Sequence, residues 1–141
     1  MPEPISNRPL LDKLAVRPDA RVALVGIVDP AFRALLAERT KNVVEGIPEP
    51  TVDLVFLAAD SPVELAVLGR LRPTITPDGA IWVVSVKGRS ATLHDTDVIA
   101  AARAAGLVDN KVVSFSPTHT ALRLVIPLAD RPATRRMVGG E

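Results

Sequence analysis

The sequence predicts an α/β fold, in which a mostly parallel β-sheet lies between two layers of helices and carries an antiparallel hairpin at its C-terminal edge. Three apolar runs, at residues 21–27, 52–58 and 80–86, are typical of strands covered on both faces. A segment with helical periodicity follows each run, and crossovers of this kind connect parallel strands. The order β-α-β-β-α-β-α-β-β predicts a three-layer, Rossmann-like sandwich.

Local signals place the first crossover helix after residue 28. Asp29 is suited to the N-cap and Pro30 to the first helical position. Phe32, Leu35 and Leu36 follow at the spacing of an apolar helical stripe. A short strand at 42–45 comes next.

The second crossover helix begins with a capping-box pattern. Ser61 stands at the N-cap and Glu64 three residues later, and an apolar face follows, formed by Leu65, Leu68 and Leu71. Residues 76–79, of sequence Thr-Pro-Asp-Gly, are typical of a turn. If Ser61 caps the helix, the carboxylate of Asp60 remains free.

The third helix is predicted to begin at Asp95 or Thr96 and to end at Gly106, a favourable residue just after a helix. Two strand-like segments, 111–115 and 121–127, follow. Only residues 116–120 separate them, which predicts an antiparallel pair.

The chain of 141 residues is expected to form a single domain at residues 10–129. Residues 1–9 carry three prolines and little pattern, which favours a flexible N-terminal arm. Residues 130–141 carry little that could be buried and are expected to form a flexible C-terminal tail.

Composition excludes several functional classes. There is no cysteine, which excludes disulfides and thiol catalysis. A net charge of +1 and an aromatic fraction of 3% make nucleic acid an unfavoured partner. No apolar run approaches the ~20 residues of a membrane span, and the start has no signal-peptide pattern. We therefore expect a bacterial-type, cytoplasmic protein.

Two segments and the order of elements resemble the class I S-adenosylmethionine-dependent methyltransferase fold. Residues 17–26 resemble the approach to the first strand of that family, and residues 71–83 resemble its passage from a crossover helix into the following strand. The closing helix and strand pair are also similar. More closely, residues 14–128 resemble a small uncharacterised bacterial family of methyltransferase-like proteins.

The sequence departs from the enzymes in two places. Where they have a glycine-rich loop after the first strand, this chain has Gly26-Ile27-Val28-Asp29, with a carboxylate at the position where an anionic ligand would lie. Between residues 45 and 52 there is no room for a crossover helix and a third strand. The fold is therefore expected to lack one β-α unit.

Candidate cofactor-binding residues follow the predicted strands, since open α/β sheets bind ligands at the carboxyl ends of their strands. They are Gly26, Glu45, Asp60, Lys87, Gly88 and Arg89. The resemblance implies S-adenosylmethionine as the cofactor, with Glu45 on its ribose hydroxyls. Each residue also has a purely structural explanation. Gly26 and Glu45 are then ordinary loop residues, Asp60 is an acid before a helix, and residues 87–89 form a solvated basic loop.

Two further groups of polar residues are weak candidates, one for metal binding and one for nucleophilic catalysis. Residues 94–97, His-Asp-Thr-Asp, have metal-ligand side chains but also fit a helix start. His119 follows Ser116, but no Gly-x-Ser-x-Gly elbow is present.

Two functions from different classes remain. The sequence favours a non-catalytic methyltransferase-like domain that acts through a protein partner or as a homodimer. The alternative is a small-ligand binder or enzyme that uses the crevice at the carboxyl ends of the strands, with S-adenosylmethionine or another nucleotide. A third option, nucleic-acid binding through the arginines of the tail, ranks last because the net charge is close to zero.

Overall fold

The computed structural model describes residues 9–130. Six strands form one sheet: β1 Val22–Val25, β2 Val43–Glu45, β3 Val52–Ala58, β4 Ile75–Val86, β5 Val108–Ser114 and β6 His119–Val125. Four α-helices accompany them: α1 Leu10–Lys13, α2 Pro30–Arg39, α3 Leu68–Leu71 and α4 Asp95–Ala104. Short 3₁₀ segments lie at Pro62–Val67, Arg72–Thr74, Gly88–Ser90 and Leu128–Asp130.

The sheet has the order β2-β1-β3-β4-β6-β5. Strands β2, β1, β3 and β4 are parallel to their neighbours, whereas β6 is antiparallel to both β4 and β5. The predicted mostly parallel sheet with a C-terminal antiparallel hairpin is therefore confirmed. Within the hairpin, β6 lies against β4 and β5 forms the outer edge.

Two apolar clusters cover the two faces of the sheet. On one face α1 and α2 pack against the sheet through Leu11, Leu14, Phe32 and Leu36, next to the fully buried Trp82. On the other face the segment from the first 3₁₀ turn to α4 contributes a second set: Leu65, Leu68, Leu71, Val98 and Ala102. Burial on both faces explains why β1, most of β3 and the second half of β4 are nearly continuous apolar runs.

The prediction for α2 is confirmed at its start and wrong at one apolar position. Asp29 is the N-cap, and its carboxylate accepts backbone hydrogen bonds within the first turn. Phe32 and Leu36 are buried, but Leu35 is 45% exposed. Phe32 and Leu36 are four residues apart and share the face towards the sheet, whereas Leu35 lies on the flank of the helix.

The capping box predicted at Ser61 does not form. Residues Pro62–Val67 make a 3₁₀ segment, in which the N–H of Glu64 donates to the carbonyl of Ser61 at 3.1 Å. That N–H is therefore not available to the Ser61 hydroxyl, which instead donates to the Glu64 carboxylate at 3.4 Å. The predicted apolar face is confirmed, because Leu65, Leu68 and Leu71 are buried.

The turn predicted at residues 76–79 lies inside strand β4. Val52 pairs with Ile75 and Leu54 with Ala80, so two steps along β3 correspond to five along β4. The additional residues form a bulge in β4, and pairing resumes beyond it. The turn-forming residues therefore interrupt a strand and do not precede one.

Helix α4 begins at Asp95, after His94 at the N-cap, and the carboxylate of Asp97 accepts from the His94 N–H at 3.0 Å. It ends at Ala104, and Gly106, with a φ of +81°, stands at the predicted position just after the helix. The N–H of Leu107 donates to the carbonyl of Ala102 at 2.8 Å, which closes a Schellman motif.

The predicted arm and tail lie outside the described residues, except for Pro9 and Asp130. Asp130 ends the last 3₁₀ turn and lies 3.7 Å from the guanidinium of Arg72. At the N-terminal end of the described residues, the indole of Trp82 donates to the carbonyl of Leu14 at 3.2 Å, which fixes the end of helix α1 to the sheet.

Candidate functional site

The candidate site lies at the carboxyl edge of the parallel strands, where open α/β sheets bind ligands. Every residue that the sequence singled out as cofactor-binding lies there. Gly26 follows β1, Glu45 ends β2, Asp60 follows β3, and Lys87, Gly88 and Arg89 follow β4. The structure does not bring them to one point: Gly26 lines one hollow, Glu45 another, and Lys87 and Gly88 a third.

A central hollow of about 240 Å³ opens between the ends of β1, β3 and β4 and the start of β6. It is lined by Gly26, Ile27, Val28, Asp29, Ala58, Val84, Phe115, Thr118 and His119. Of the six candidate residues only Gly26 lines it. The lining is largely apolar, with one carboxylate and one imidazole.

Gly26 is required by its backbone and not by close packing. Its φ of +78° is in the left-handed region, which residues with side chains rarely adopt. A Cβ at this position would lie 3.5 Å from the Cβ of Ala58, an ordinary van der Waals contact. The residue therefore ends β1 and directs the chain towards α2.

The N-terminus of α2 is occupied by the chain itself. Oδ1 of Asp29 accepts from the N–H of Ala31 at 2.9 Å and from the N–H of Phe32 at 3.1 Å. Free N–H groups at a helix start are the usual donors to a bound anion. Here two of them already have a negatively charged partner.

Glu45 is paired with an arginine that the sequence did not single out. Its carboxylate forms an ion pair with the guanidinium of Arg33, which also donates to the carbonyl of Ile27 at 2.8 Å. The hydrogen bond to Glu45 raises the pKa of Arg33 above its ordinary value. Arg33 thus connects the end of β2 to the loop after β1. No local pattern indicated it, because the partners are 12 residues apart.

Asp60 is not the free carboxylate that the sequence predicted. Its Oδ1 accepts from the N–H of Val86 at 2.9 Å, and its own N–H donates to Glu64 at 2.7 Å. Its backbone carbonyl also accepts from the hydroxyl of Thr92. Ser61 does not cap the helix, and the carboxylate of Glu64 accepts the hydrogen bond from the Asp60 N–H. The side chain of Asp60 in turn connects the end of β3 to the end of β4.

The basic loop after β4 lies at a second hollow, of about 390 Å³, lined in part by Lys87, Gly88, His94 and Asp95. The ammonium of Lys87 donates to the hydroxyl of Ser114 at 2.7 Å. Arg89 is exposed within the 3₁₀ segment Gly88–Ser90. Lys87 and Glu45 therefore lie at different hollows.

His119 is placed at the central hollow, which its position in the sequence did not indicate. It is the first residue of β6, paired with Val86 of β4. Its Nδ1 lies 2.8 Å from the hydroxyl of Thr118. The antiparallel insertion of β6 next to β4 brings it there, so its place at the hollow depends on tertiary pairing.

Within residues 9–130 no group of three or more histidine, cysteine, aspartate or glutamate side chains is arranged to hold a metal ion. No helix in the same range is long and apolar enough to cross a membrane.

Comparison with known proteins identifies the fold. No family model and no curated protein matches the sequence. An S-adenosylmethionine-dependent methyltransferase from Aquifex aeolicus has a TM-score of 0.63 and 15% identity, over 84% of this chain and 88% of that one. Magnesium protoporphyrin IX methyltransferase from Synechocystis, with S-adenosylmethionine bound, has a TM-score of 0.61 and 12% identity, over 84% and 74%. A TehB-like S-adenosylmethionine-dependent methyltransferase from Corynebacterium glutamicum has a TM-score of 0.53 and 14% identity, over 84% and 85%.

The fold and its carboxyl-edge hollows define a Rossmann-like α/β domain. More specifically, the chain has a shortened form of the class I methyltransferase fold. The shortening lies after β2, where residues 46–51 lead directly into β3.

Proposed function

We propose that this protein is a non-catalytic methyltransferase-like domain that acts by binding another protein chain. The observation that carries the proposal is the carboxylate of Asp29 at the start of α2, which accepts hydrogen bonds from the N–H groups of Ala31 and Phe32. The ion pair between Glu45 and Arg33 supports it. The resemblance implies that Glu45 binds the ribose hydroxyls of the cofactor. In this chain its carboxylate instead forms an ion pair with the guanidinium of Arg33.

The ion pair alone would not exclude a cofactor. Its glutamate and arginine are 63% and 38% exposed, and solvent screens an ion pair this exposed, so that it stabilises little. The loop after β1 adds a stronger objection. Val28 occupies a position where the enzymes have a glycine-rich loop, and Asp29 places a negative charge at the helix start. A cofactor carboxylate there would meet like charge, so the residues present fit S-adenosylmethionine poorly.

The second candidate function is a small-ligand binder or enzyme that uses the central hollow. The observation in its favour is the hollow of about 240 Å³ at the edge where such folds bind ligands, with Gly26 and His119 in its lining. The neighbouring folds are those of S-adenosylmethionine-dependent methyltransferases, and this makes the same cofactor the first ligand to test.

The experiment is calorimetric titration of the purified protein with S-adenosylmethionine and with S-adenosylhomocysteine. Because both cofactor positions hold side chains of the chain itself, we expect no heat of binding at millimolar ligand. Micromolar binding of either compound would contradict the non-catalytic proposal.

Matched variants would then locate the ligand. Glu45 and Lys87 lie at different hollows, so a ligand beside β2 is weakened by Glu45→Ala and unaffected by Lys87→Ala. Equal loss in both variants, with unchanged thermal stability, would instead support one crevice that both residues share. Binding unchanged in both would leave the central hollow as the remaining position.

A further inference from the structure

Strand β2 lies at one edge of the sheet and pairs on its inner side with β1. On its inner side the N–H of Val22 donates to the carbonyl of Asn42 at 2.9 Å, and the N–H of Gly46 donates to the carbonyl of Leu24 at 2.8 Å. Alternate residues of a strand bond to one neighbour, so the backbone groups of Val44 face β1. The N–H and C=O groups of Val43 and Glu45 therefore point outward, and no strand among residues 9–130 pairs with them.

A groove of about 530 Å³ runs beside this edge, between β2 and α2. Its apolar lining comes from Leu24 and Leu36, which are already buried within the single chain, and from Ala37 and Val43, which are more exposed. Its charged rim comes from Arg33, Lys41 and Glu45. The groove lies at the edge from which the shortened chain lacks a β-α unit. An element packed here would cover apolar surface and complete the sheet.

We propose that the occupant is a second copy of this chain, paired antiparallel through β2 about a two-fold axis at Val43. This inference rests on the proposed function, since it names the partner of a domain that works by binding. The geometry is a self-complementary pair, the commonest arrangement in protein dimers.

Charge selects the register. With the axis at Val43, and with the pairing continued to Lys41, two residues before β2, Lys41 of one subunit lies opposite Glu45 of the partner subunit. Each Glu45 then lies between Arg33 of its own subunit and Lys41 of the partner subunit, and the symmetry makes two such pairs. Lys41 and Glu45 line the same groove and therefore lie on one face of the sheet. Opposite charges directly across a pair of strands stabilise it.

The other registers that match the outward hydrogen-bonding groups are less favourable. An axis at Glu45 would place two carboxylates opposite each other, which is destabilising. An axis at Val44 would place Glu45 opposite Val43 of the partner subunit and leave Lys41 without an acid across from it. An axis at Glu45 would also place Lys41 opposite Glu49 of the partner subunit, but Glu49 lies outside β2. Among these three registers, the one at Val43 alone opposes unlike charges without opposing like charges.

The same axis also covers the groove. A two-fold axis perpendicular to the sheet places both copies of α2 on the same face. Each groove then adjoins its counterpart across the axis, and the more exposed apolar residues Ala37 and Val43 come to lie near the dimer centre. The open edge and the groove are thus covered by one contact.

The experiment is sedimentation velocity of the full chain over micromolar to millimolar concentrations. We expect a monomer–dimer equilibrium that weakens as salt is added, because ionic strength screens the paired charges. Lys41→Glu should raise the dissociation constant about tenfold, since two attractive pairs become repulsive. The charge reversal Lys41→Glu with Glu45→Lys is made together with Arg33→Ala, because a lysine at position 45 would otherwise lie against the guanidinium of Arg33. Compared with Arg33→Ala combined with Lys41→Glu alone, it restores unlike charges and should recover the dimer.

The control is Lys111→Glu, which makes the same change on β5, the opposite edge of the sheet. It should leave the equilibrium unchanged. A chain that stays monomeric at millimolar concentration, or a dimer that responds to Lys111→Glu and not to Lys41→Glu, would overturn the inference. Neither result bears on the cofactor titration, and cofactor binding by an intact dimer would overturn the proposed function alone.

Discussion

At the scale of single residues, the ion pair between Arg21 and Asp53 joins the starts of β1 and β3. The backbone N–H of Arg21 donates to Oδ2 of Asp53 at 2.8 Å, and its guanidinium lies 3.2 Å from Oδ1. Partial burial raises the pKa of the Asp53 carboxyl, but the hydrogen bonds from Arg21 and the charges of Arg21 and Arg17 outweigh it. The pKa of Asp53 is therefore below its ordinary value of 3.8.

This lowered pKa predicts a dependence of stability on pH. A carboxyl with a lower pKa in the folded state stabilises the fold fully above its ordinary pKa. The contribution is lost as the pH falls from about 4 through the lower folded value. We expect Asp53→Asn to destabilise the protein at pH 7, and its difference from the parent to narrow at about pH 2 to 3. Urea unfolding at pH 7 and at about pH 2 to 3 measures the free energy of unfolding of the parent and of the variant. A difference between them that is the same at both pH values would contradict the lowered pKa of Asp53.

At the scale of elements, the bulge in β4 depends on a glycine. A Cβ at Gly79 would lie 2.7 Å from the carbonyl oxygen of Asp53 and 2.9 Å from the hydroxyl of Thr76. The first of these atoms belongs to the backbone of β3 and cannot move without disturbing the ladder between β3 and β4. Close approach, and not an unusual φ, therefore requires glycine at this position.

We expect Gly79→Ala to destabilise the protein by about 1–3 kcal/mol, the usual cost of overpacking a well-filled contact. Gly69→Ala is the matched control. Gly69 lies in α3, where a Cβ would meet nothing within 4 Å, and alanine favours the helix by up to ~1 kcal/mol. Thermal unfolding of both variants measures the difference. Equal stability of the two would show that the bulge shifts freely.

At the scale of the whole molecule, the two apolar clusters share one sheet. Neighbouring residues of β4 alternate between them: Trp82 belongs to the cluster under α1 and α2, and Val83 to the cluster under α3 and α4. Neither cluster can lose its sheet without exposing the other. The domain is therefore expected to unfold as one cooperative unit.

Trp82 is the only tryptophan of the chain and is fully buried in the first cluster. Its fluorescence reports that side of the sheet, whereas far-ultraviolet circular dichroism reports the helices of both sides. We expect the two signals to give the same midpoint in urea. Separate midpoints would show that one helical layer leaves the sheet before the other.

The sequence by itself determined the order of elements, the three buried strands, the Asp29 cap and the missing β-α unit. These features depend on local periodicity, capping chemistry and chain length, all of which act between near neighbours. The same local rules were wrong at Ser61, because a 3₁₀ turn used the N–H that a capping box requires. They were also wrong at residues 76–79, because the pairing of β3 with β4 carries the strand through the turn sequence.

The sequence placed the candidate residues at one edge of the sheet, but only the tertiary structure decided what each side chain contacts. In the structure Glu45 pairs with Arg33, the carboxylate of Asp60 accepts from the N–H of Val86 at the end of β4, and Lys87 lines a separate hollow. The tertiary structure also brings His119 to the central hollow by inserting β6 next to β4. The physical reason is distance along the chain. Glu45 lies 12 residues from Arg33 and Asp60 lies 26 residues from Val86, and side chains so far apart leave no periodic pattern that connects them in the sequence.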